Sequence, residues 1–256
     1  MLESTFCHLP GVGEKTEDRI WRTGCTSWRE FIDRPPRLPA ATRRRLKAGI
    51  MESISRLNQL DHEYFNNRLP PNITWRAYRS FRDHTAYLDI ETTGLSPTQN
   101  MVTTVCLHSG RETQNYVAGK NLNQLAKDLQ DYKYLVTFNG ACFDLPFLTQ
   151  RLKIRFNQIH LDLMYPLAKL GYRGGLKKIE ENLGINRDTD GVTGLDAVRL
   201  WKTHKTGQPT KINKQKITQK QALPLLIKYN QDDTVNLEKL ADLTIKKLLE
   251  KHHPKR

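Results

Sequence analysis

The 256 residues predict an α/β fold, a five-stranded sheet flanked by helices with a small all-helical segment at the amino end. Three observations lead there. Five short apolar runs with β-prone side chains lie at 85–95, 101–108, 113–117, 134–138 and 159–163, with the length and composition of strands. Apolar residues at helical spacing are interleaved with them, the alternation from which layered α/β folds are built. Ahead of residue 81 the chain shows helical spacing and proline-marked breaks. The expected organisation is a segment 1–35, a helical connector 36–80, a sheet domain 81–250 and a short basic tail 251–256, expected to be disordered.

The amino end carries Phe6-Cys7-His8-Leu9-Pro10-Gly11-Val12-Gly13-Glu14-Lys15, a Gly-x-Gly turn leading into a helix whose Ile20 and Trp21 begin an apolar stripe. Trp28, Phe31 and Ile32 continue it after Gly24. The stretch resembles a helix-hairpin-helix motif, which implies that Gly11, Gly13 and Lys15 grip a nucleic-acid phosphate where glycine lets the backbone come close. Glu17 stands where the motif usually has a small residue. Packing against the neighbouring domain is the other reading of the segment. Arg34-Pro35-Pro36-Arg37-Leu38-Pro39 sustains neither helix nor central strand and marks a boundary. Beyond it Leu46, Ile50, Ile54, Leu57 and Leu60 predict one helix over 40–67, stopped by Pro70-Pro71. Such a helix would span about 42 Å at 1.5 Å per residue. Its Arg43-Arg44-Arg45 run reads as a solvated face, and Trp75, Tyr78 and Phe81 as an aromatic clasp that docks the arm onto the sheet domain.

In the sheet domain, 85–95 is a buried strand ending in two acids and a glycine turn. Two further β-prone runs follow, then helical spacing over 122–129 and the strand at 134–138. Asp144 opens a helix close behind, another strand lies at 159–163, and helices are expected at 176–183, stopped by Gly184, and at 195–202. From Arg199 to Lys228 there are eight Lys or Arg and no acid, including Lys211, Lys214 and Lys216. Gly207 and Pro209 within this stretch predict a mobile loop, placed to offer an electrostatic approach for a phosphate backbone. The last helix carries Tyr229 and Asp233 four apart, hence on one face.

Strand alternation sends Asp89 and Glu91 to one side and Ile90 to the other. Two carboxylates held together repel unless a cation sits between them, and a divalent metal is the usual occupant. With Asp144 at a helix start and Asp233 on a helix face, the order resembles the DEDD superfamily of 3′→5′ exonucleases, DnaQ-like proteins with a ribonuclease H-like fold. The matching residues are Asp89-x-Glu91-Thr92-Thr93-Gly94-Leu95, Asn139-x-x-x-Phe143-Asp144 and Tyr229-x-x-x-Asp233. Tyr229 points to the tyrosine-containing branch. Arg82-Asp83-His84, His160-Leu161-Asp162-Leu163, Gly174-Gly175-Leu176-Lys177-Lys178-Ile179-Glu180 and Tyr229-Asn230-Gln231-Asp232-Asp233 resemble the YprB-type proteins of bacteria and archaea. The resemblance implies a mixed five-stranded sheet with the first strand central. It also implies two Mg²⁺ or Mn²⁺ ions about 3.5–4 Å apart, held by Asp89, Glu91, Asp144 and Asp233, with Tyr229 orienting the attacking water. Thr92, Thr93 and Leu95 would contact the terminal nucleotide, and Asn139 and Phe143 the substrate beside it. Asp232 is a rival to Asp233, disfavoured by its spacing to Tyr229.

Composition agrees with a nucleic-acid partner. Lys and Arg number 41 against 27 Asp and Glu, a net charge of +14, which favours a polyanion over an acidic protein or a small neutral substrate. DNA is expected ahead of RNA. No run approaches a membrane span and no signal peptide is present, so a cytoplasmic protein is expected. Cys7, Cys25, Cys106 and Cys142 form no Cys-x-x-Cys pair and are expected to be buried small hydrophobes. A 3′→5′ exonuclease, on DNA or on RNA, is the leading function. A ribonuclease H-like endonuclease and a non-catalytic nucleic-acid-binding module are the alternatives.

Overall fold

In the computed structural model, which describes residues 1–110 and 112–252, the five expected strands join one sheet. They are β1 (Thr85–Thr92), β2 (Val102–His108), β3 (Thr113–Val117), β4 (Tyr134–Thr137) and β5 (Ile159–Asp162). The order β3-β2-β1-β4-β5 puts the acid-bearing strand in the centre. β1 runs antiparallel to β2 and parallel to β4, so the sheet is mixed. The parallel pairings need crossovers, and helices supply them: α5 (Leu125–Asp128) with its flanking 3-10 turns before β4, and α6 (Asp144–Leu152) before β5. Four more helices complete the domain: α7 (Met164–Lys169), α8 (Leu176–Leu183), α9 (Gly194–Thr206) and the long α10 (Gln219–His252).

Both faces of the sheet are covered, which is why β1 is buried at nearly every position. Ala86, Leu88 and Ile90 face a cluster that includes Leu107, Leu135, Phe147, Leu200 and Leu226. Tyr87 faces the opposite cluster with Tyr134, Val136, Leu161 and the α10 residues Leu237, Leu240 and Ile245. That second cluster runs without a break into Leu2, Phe6, Trp28, Phe31 and Phe65 of the amino-terminal part. The expected clasp is present: Trp75, Tyr78 and Phe81 are buried along the 3-10 turns of Pro71–His84. The Tyr78 and Tyr87 hydroxyls lie 2.6 Å apart, and Tyr78 also donates to Asp242 at 2.7 Å.

The amino-terminal helices are α1 (Glu14–Arg22), with Gly13 at its N-cap, and α2 (Trp28–Asp33), capped by Ser27. Glu17, the departure from the hairpin motif, is buried. It accepts from the amides of Phe6 and Cys7 at 2.6 and 3.1 Å and from Arg76 at 2.6 Å, fastening the hairpin to the 71–84 segment.

Three expectations need correction. The single helix over 40–67 is two, α3 (Ala40–Asn58) and α4 (His62–Asn66). Leu60 takes a left-handed φ of 51°, the Leu60 and Asp61 amides donate back to Leu57 and Arg56, and Asp61 then caps α4. The first helix therefore spans about 28 Å, not 42 Å. The basic stretch is not a loop throughout: β6 (Thr210–Ile212) and β7 (Gln215–Ile217) pair as a hairpin, with Asn213 and Lys214 both at positive φ in the tight turn. Cys142 is exposed, while the other three cysteines are buried. Lys251 and His252 end α10, and the remainder of the expected disordered tail lies outside the described residues. Among the described residues no helix is long and apolar enough to cross a membrane.

Candidate active site

The site lies where the carboxyl end of β1 meets α6, α8 and α10. Strand alternation puts Asp89 and Glu91 on the α10 side of the sheet, and α10 passes over them with Asp233 turned inward. Carboxylate oxygens of Asp89, Glu91 and Asp233 lie within 4.8 Å of one another. Asp144, in the first turn of α6, is buried beside them, its Oδ1 accepting from the Ile90 amide at 3.2 Å. The Asp232 carboxylate accepts instead from the amides of Asp188 and Thr189 at 3.1 and 2.8 Å. One residue along a helix is a 100° turn, so neighbouring acids serve different tasks.

Electrostatics mark the cluster as unsatisfied on its own. Burial raises Asp89 well above the ordinary carboxylate range, and the charges of Asp233, Asp144 and Glu91 add to it. Glu91 is raised by burial and then by Asp233 and Asp144. Burial pushes Asp144 up to about 7. Asp233 is also raised by burial, although Arg187 works against the shift. Like charges at this depth call for a cation, and an all-oxygen donor set fits hard divalent ions.

The supporting groups are the ones that sequence reasoning did not single out. Arg187, in the turn after α8, is buried between two acids: its Nε donates to Glu180 at 2.5 Å and its Nη2 to Asp233. Burial disfavours its charge, but Glu180 and Asp233 more than offset that, so the guanidinium stays ionised. Asn230 donates to Asp89 Oδ2 at 2.7 Å and fixes that carboxylate. Lys177 of α8 holds its ammonium 4.4 Å from the Tyr229 ring centre and donates to the Val192 carbonyl. Lys177, Tyr229 and Asp233 line a cavity of about 340 Å³ between the starts of α8 and α9. Burial, then the charges of Asp233, Glu91 and Asp89, holds the Tyr229 hydroxyl well above its ordinary pKa, so it is a donor at all ordinary pH. Glu180 and Asn230 fall inside stretches that carry the family resemblance, whereas Arg187 has no local signal.

The other predicted residues lie outside the carboxylate cluster. Thr92 is buried with its hydroxyl on the Gly94 carbonyl, Thr93 accepts from the Met101 amide, and Leu95 projects 85% exposed. Asn139 sits at a left-handed φ of 61°, in a turn whose Asn139 and Ala141 amides are held by Asp162 at 2.7 and 3.1 Å. A Cβ on the next residue, Gly140, would collide with Thr137. Phe143 packs on Phe147 with ring centres 5.2 Å apart. Lys211, Lys214 and Lys216 are all exposed on the β6–β7 hairpin, which touches the Asp232-capped turn through Asn213 and Asp190. Two cations of the basic stretch are already paired, Arg199 with Asp196 and Lys228 with Asp188. Gly11, Gly13 and Lys15 are exposed, and Arg45 lies against Gly11, a neighbour that sequence reasoning did not anticipate.

The profile of the RNase_H superfamily matches residues 86–245. No curated protein matches the chain. Among solved structures the chain is similar to NrnC of Brucella melitensis bound to pGG, at 20% identity and a TM-score of 0.45 over 67% of this chain and 76% of that one. The same protein with bound Mg²⁺ gives 19% and 0.45 over 68% and 78%. The family B DNA polymerase of the hyperthermophilic archaeon Pyrobaculum calidifontis gives 16% and 0.45 over 65% of this chain, which spans about a quarter (24%) of the polymerase.

Proposed function

The chain belongs to the RNase H superfamily, and from that premise we propose that it is a metal-dependent 3′→5′ exonuclease of the tyrosine-containing DEDD branch. It would be similar to YprB-type proteins and would act on single-stranded DNA or 3′ overhangs. The observation that carries the proposal is the convergence of Asp89, Glu91 and Asp233 within 4.8 Å, with Asp144 buried alongside. Asp89, Glu91, Asp144 and Asp233 would hold two Mg²⁺ or Mn²⁺ ions. When bound, such ions lower the pKa of water at the site and offset the charge of the phosphate in transit.

The protein's part is orientation. Asn230 aims Asp89, the Ile90 amide aims Asp144, and Arg187 holds one oxygen of Asp233. Tyr229, always protonated, donates its O–H to the attacking water or the scissile phosphate, and Lys177 beside it adds positive charge. Leu95 offers an apolar surface to the terminal base, with Thr92 and Thr93 shaping the turn, and Asn139 and Phe143 border the next nucleotide. Lys211, Lys214 and Lys216 attract the backbone, while Gly11, Gly13 and Lys15, joined by Arg45, form a second phosphate grip suited to duplex next to the digested end.

The test is digestion of 5′-labelled single-stranded DNA, duplex with recessed or protruding 3′ ends, and RNA, with and without Mn²⁺. The expected result is a metal-dependent ladder shortening one nucleotide at a time from the 3′ end, lost in Asp89→Ala and Asp144→Ala. Internal cuts would make the protein an endonuclease. A ladder on RNA alone would move the substrate, and binding without cleavage would leave a binding module.

A further inference from the structure

A second cavity, of about 650 Å³, lies away from the carboxylates, between α1, the 71–84 segment and α7. Its volume is in the range of small-ligand sites, roughly 300–1,000 Å³. The walls are mostly apolar, and Trp21, Trp75 and Tyr165 put three aromatic side chains on them. Arg76, 6% exposed, lies 5.2 Å from the Trp21 ring and 5.7 Å from the Trp75 ring. Its Nη1 is taken by Glu17, but its Nε is buried with no hydrogen-bond partner.

The acids around the cavity keep their negative charge although each is hydrogen-bonded, so the lining suits a neutral ring better than an anionic group. Glu17 pairs with Arg76, Asp18 with Arg22, and Glu14 accepts from Asn72 at 2.6 Å. Asp162 is occupied by the amides of Asn139, Ala141 and Met164. A flat, largely apolar ring system fits what remains.

We propose that this cavity, walled by Trp21, Trp75 and Tyr165 with Arg76 beside two of those rings, is a binding site for one unpaired nucleobase. A paired base cannot enter, since its edge is engaged and its stack continuous. Ala141 belongs to the cavity wall and precedes Asp144 by three residues, a chain length that spans at most about 11 Å. A strand whose 3′ end reaches Asp144 therefore passes the cavity within a few nucleotides. Only this source of the base rests on the nuclease reading. A released mononucleotide carries the same chemistry.

Binding is measured in EDTA, so that turnover plays no part, by fluorescence anisotropy of single-stranded oligonucleotides with an abasic position moved along the strand. Tyr165 is half exposed, so Tyr165→Ala should keep its fold, checked by thermal melting. The expected result is about tenfold weaker binding, equivalent to about 1.4 kcal/mol, the scale of one lost base–aromatic stack. At one position the abasic substitution should cost wild type the same factor and the variant nothing further. A nucleoside monophosphate that quenches tryptophan fluorescence in wild type but not in Tyr165→Ala, with no coupled strand position, would assign the site to free product and uphold the nucleobase. Independent losses at every position, together with no nucleotide quenching, overturn it. Photo-crosslinking of a 5-iodouracil strand provides the second readout: adducts on Trp21, Trp75 or Tyr165 support the site, and adducts only elsewhere refute it. Failure of the cleavage assay leaves these binding results intact, so the two readings fail separately.

Discussion

Burial pushes the pKa of the Asp144 carboxyl toward neutral pH. Its value in the folded protein, about 7, stands above the ordinary 3.8. Folding therefore favours its protonated form: this contribution to stability is complete below about pH 4 and is lost as pH rises through about 7. Asp89, Glu91 and Asp233 shift in the same direction. The melting temperature of metal-free protein should accordingly fall between about pH 4 and pH 7, and Mn²⁺ should remove the fall because a bound cation favours the ionised acids. Differential scanning calorimetry at several pH values, with EDTA or Mn²⁺, checks this, and a rising trend in EDTA would contradict it. Tyr229→Phe should slow cleavage by about 10²-fold or less, the scale of one positioned donor, while leaving oligonucleotide affinity in EDTA unchanged. Equal turnover would make the residue structural. These side chains were legible in the sequence because two-residue spacing on a strand and four-residue spacing on a helix fix which way each points. Arg187 was not, since its place between Glu180 and Asp233 depends on how α8 meets α10, and no local period encodes that.

Among the elements, the strands were the easiest to foresee and the basic stretch the hardest. β1 to β5 are short, mostly β-prone and bounded by turn residues, which helps to separate them from helices. β6 and β7 have only three residues each, and their turn is Asn213-Lys214 rather than Asn-Gly, so a non-glycine residue carries the second positive φ. The broken 40–67 helix was hidden for a related reason: Leu60 keeps the apolar period while its backbone turns left-handed. The hairpin presents its lysines on a paired scaffold rather than a floppy loop. Changing Lys211, Lys214 and Lys216 together to Glu should weaken nucleic-acid binding and flatten its salt dependence by about 0.7 to 0.9 in log–log slope per lost phosphate contact. Affinities at several salt concentrations provide the measurement, and a slope equal to wild type would take the hairpin out of the interface.

At the scale of the whole molecule, the amino-terminal segment and the sheet share one apolar cluster, so the first 35 residues contribute to the core as well as to any phosphate grip. Removing residues 1–35 takes away Leu2, Phe6, Trp28 and Phe31 and uncovers Phe65. At about 3–5 kcal/mol for each large core side chain lost, the truncated chain should fail to fold, giving insoluble protein or loss of the cooperative melt. A well-folded truncation would show the segment to be separable. The hairpin resemblance described that segment's surface, but its burial against the 71–84 turns depends on long-range contacts that motif spacing does not carry. The long helix α10 has a consequence of its own. Asn230 and Asp89 meet across 141 residues of sequence, and Asp233 comes from the same late element. A ribosome that has not yet passed residue 233 displays a chain with its strand acids but not the acid that completes the cluster. The carboxylate cluster is therefore completed only after Asp233 has been synthesised and α10 has closed over the sheet.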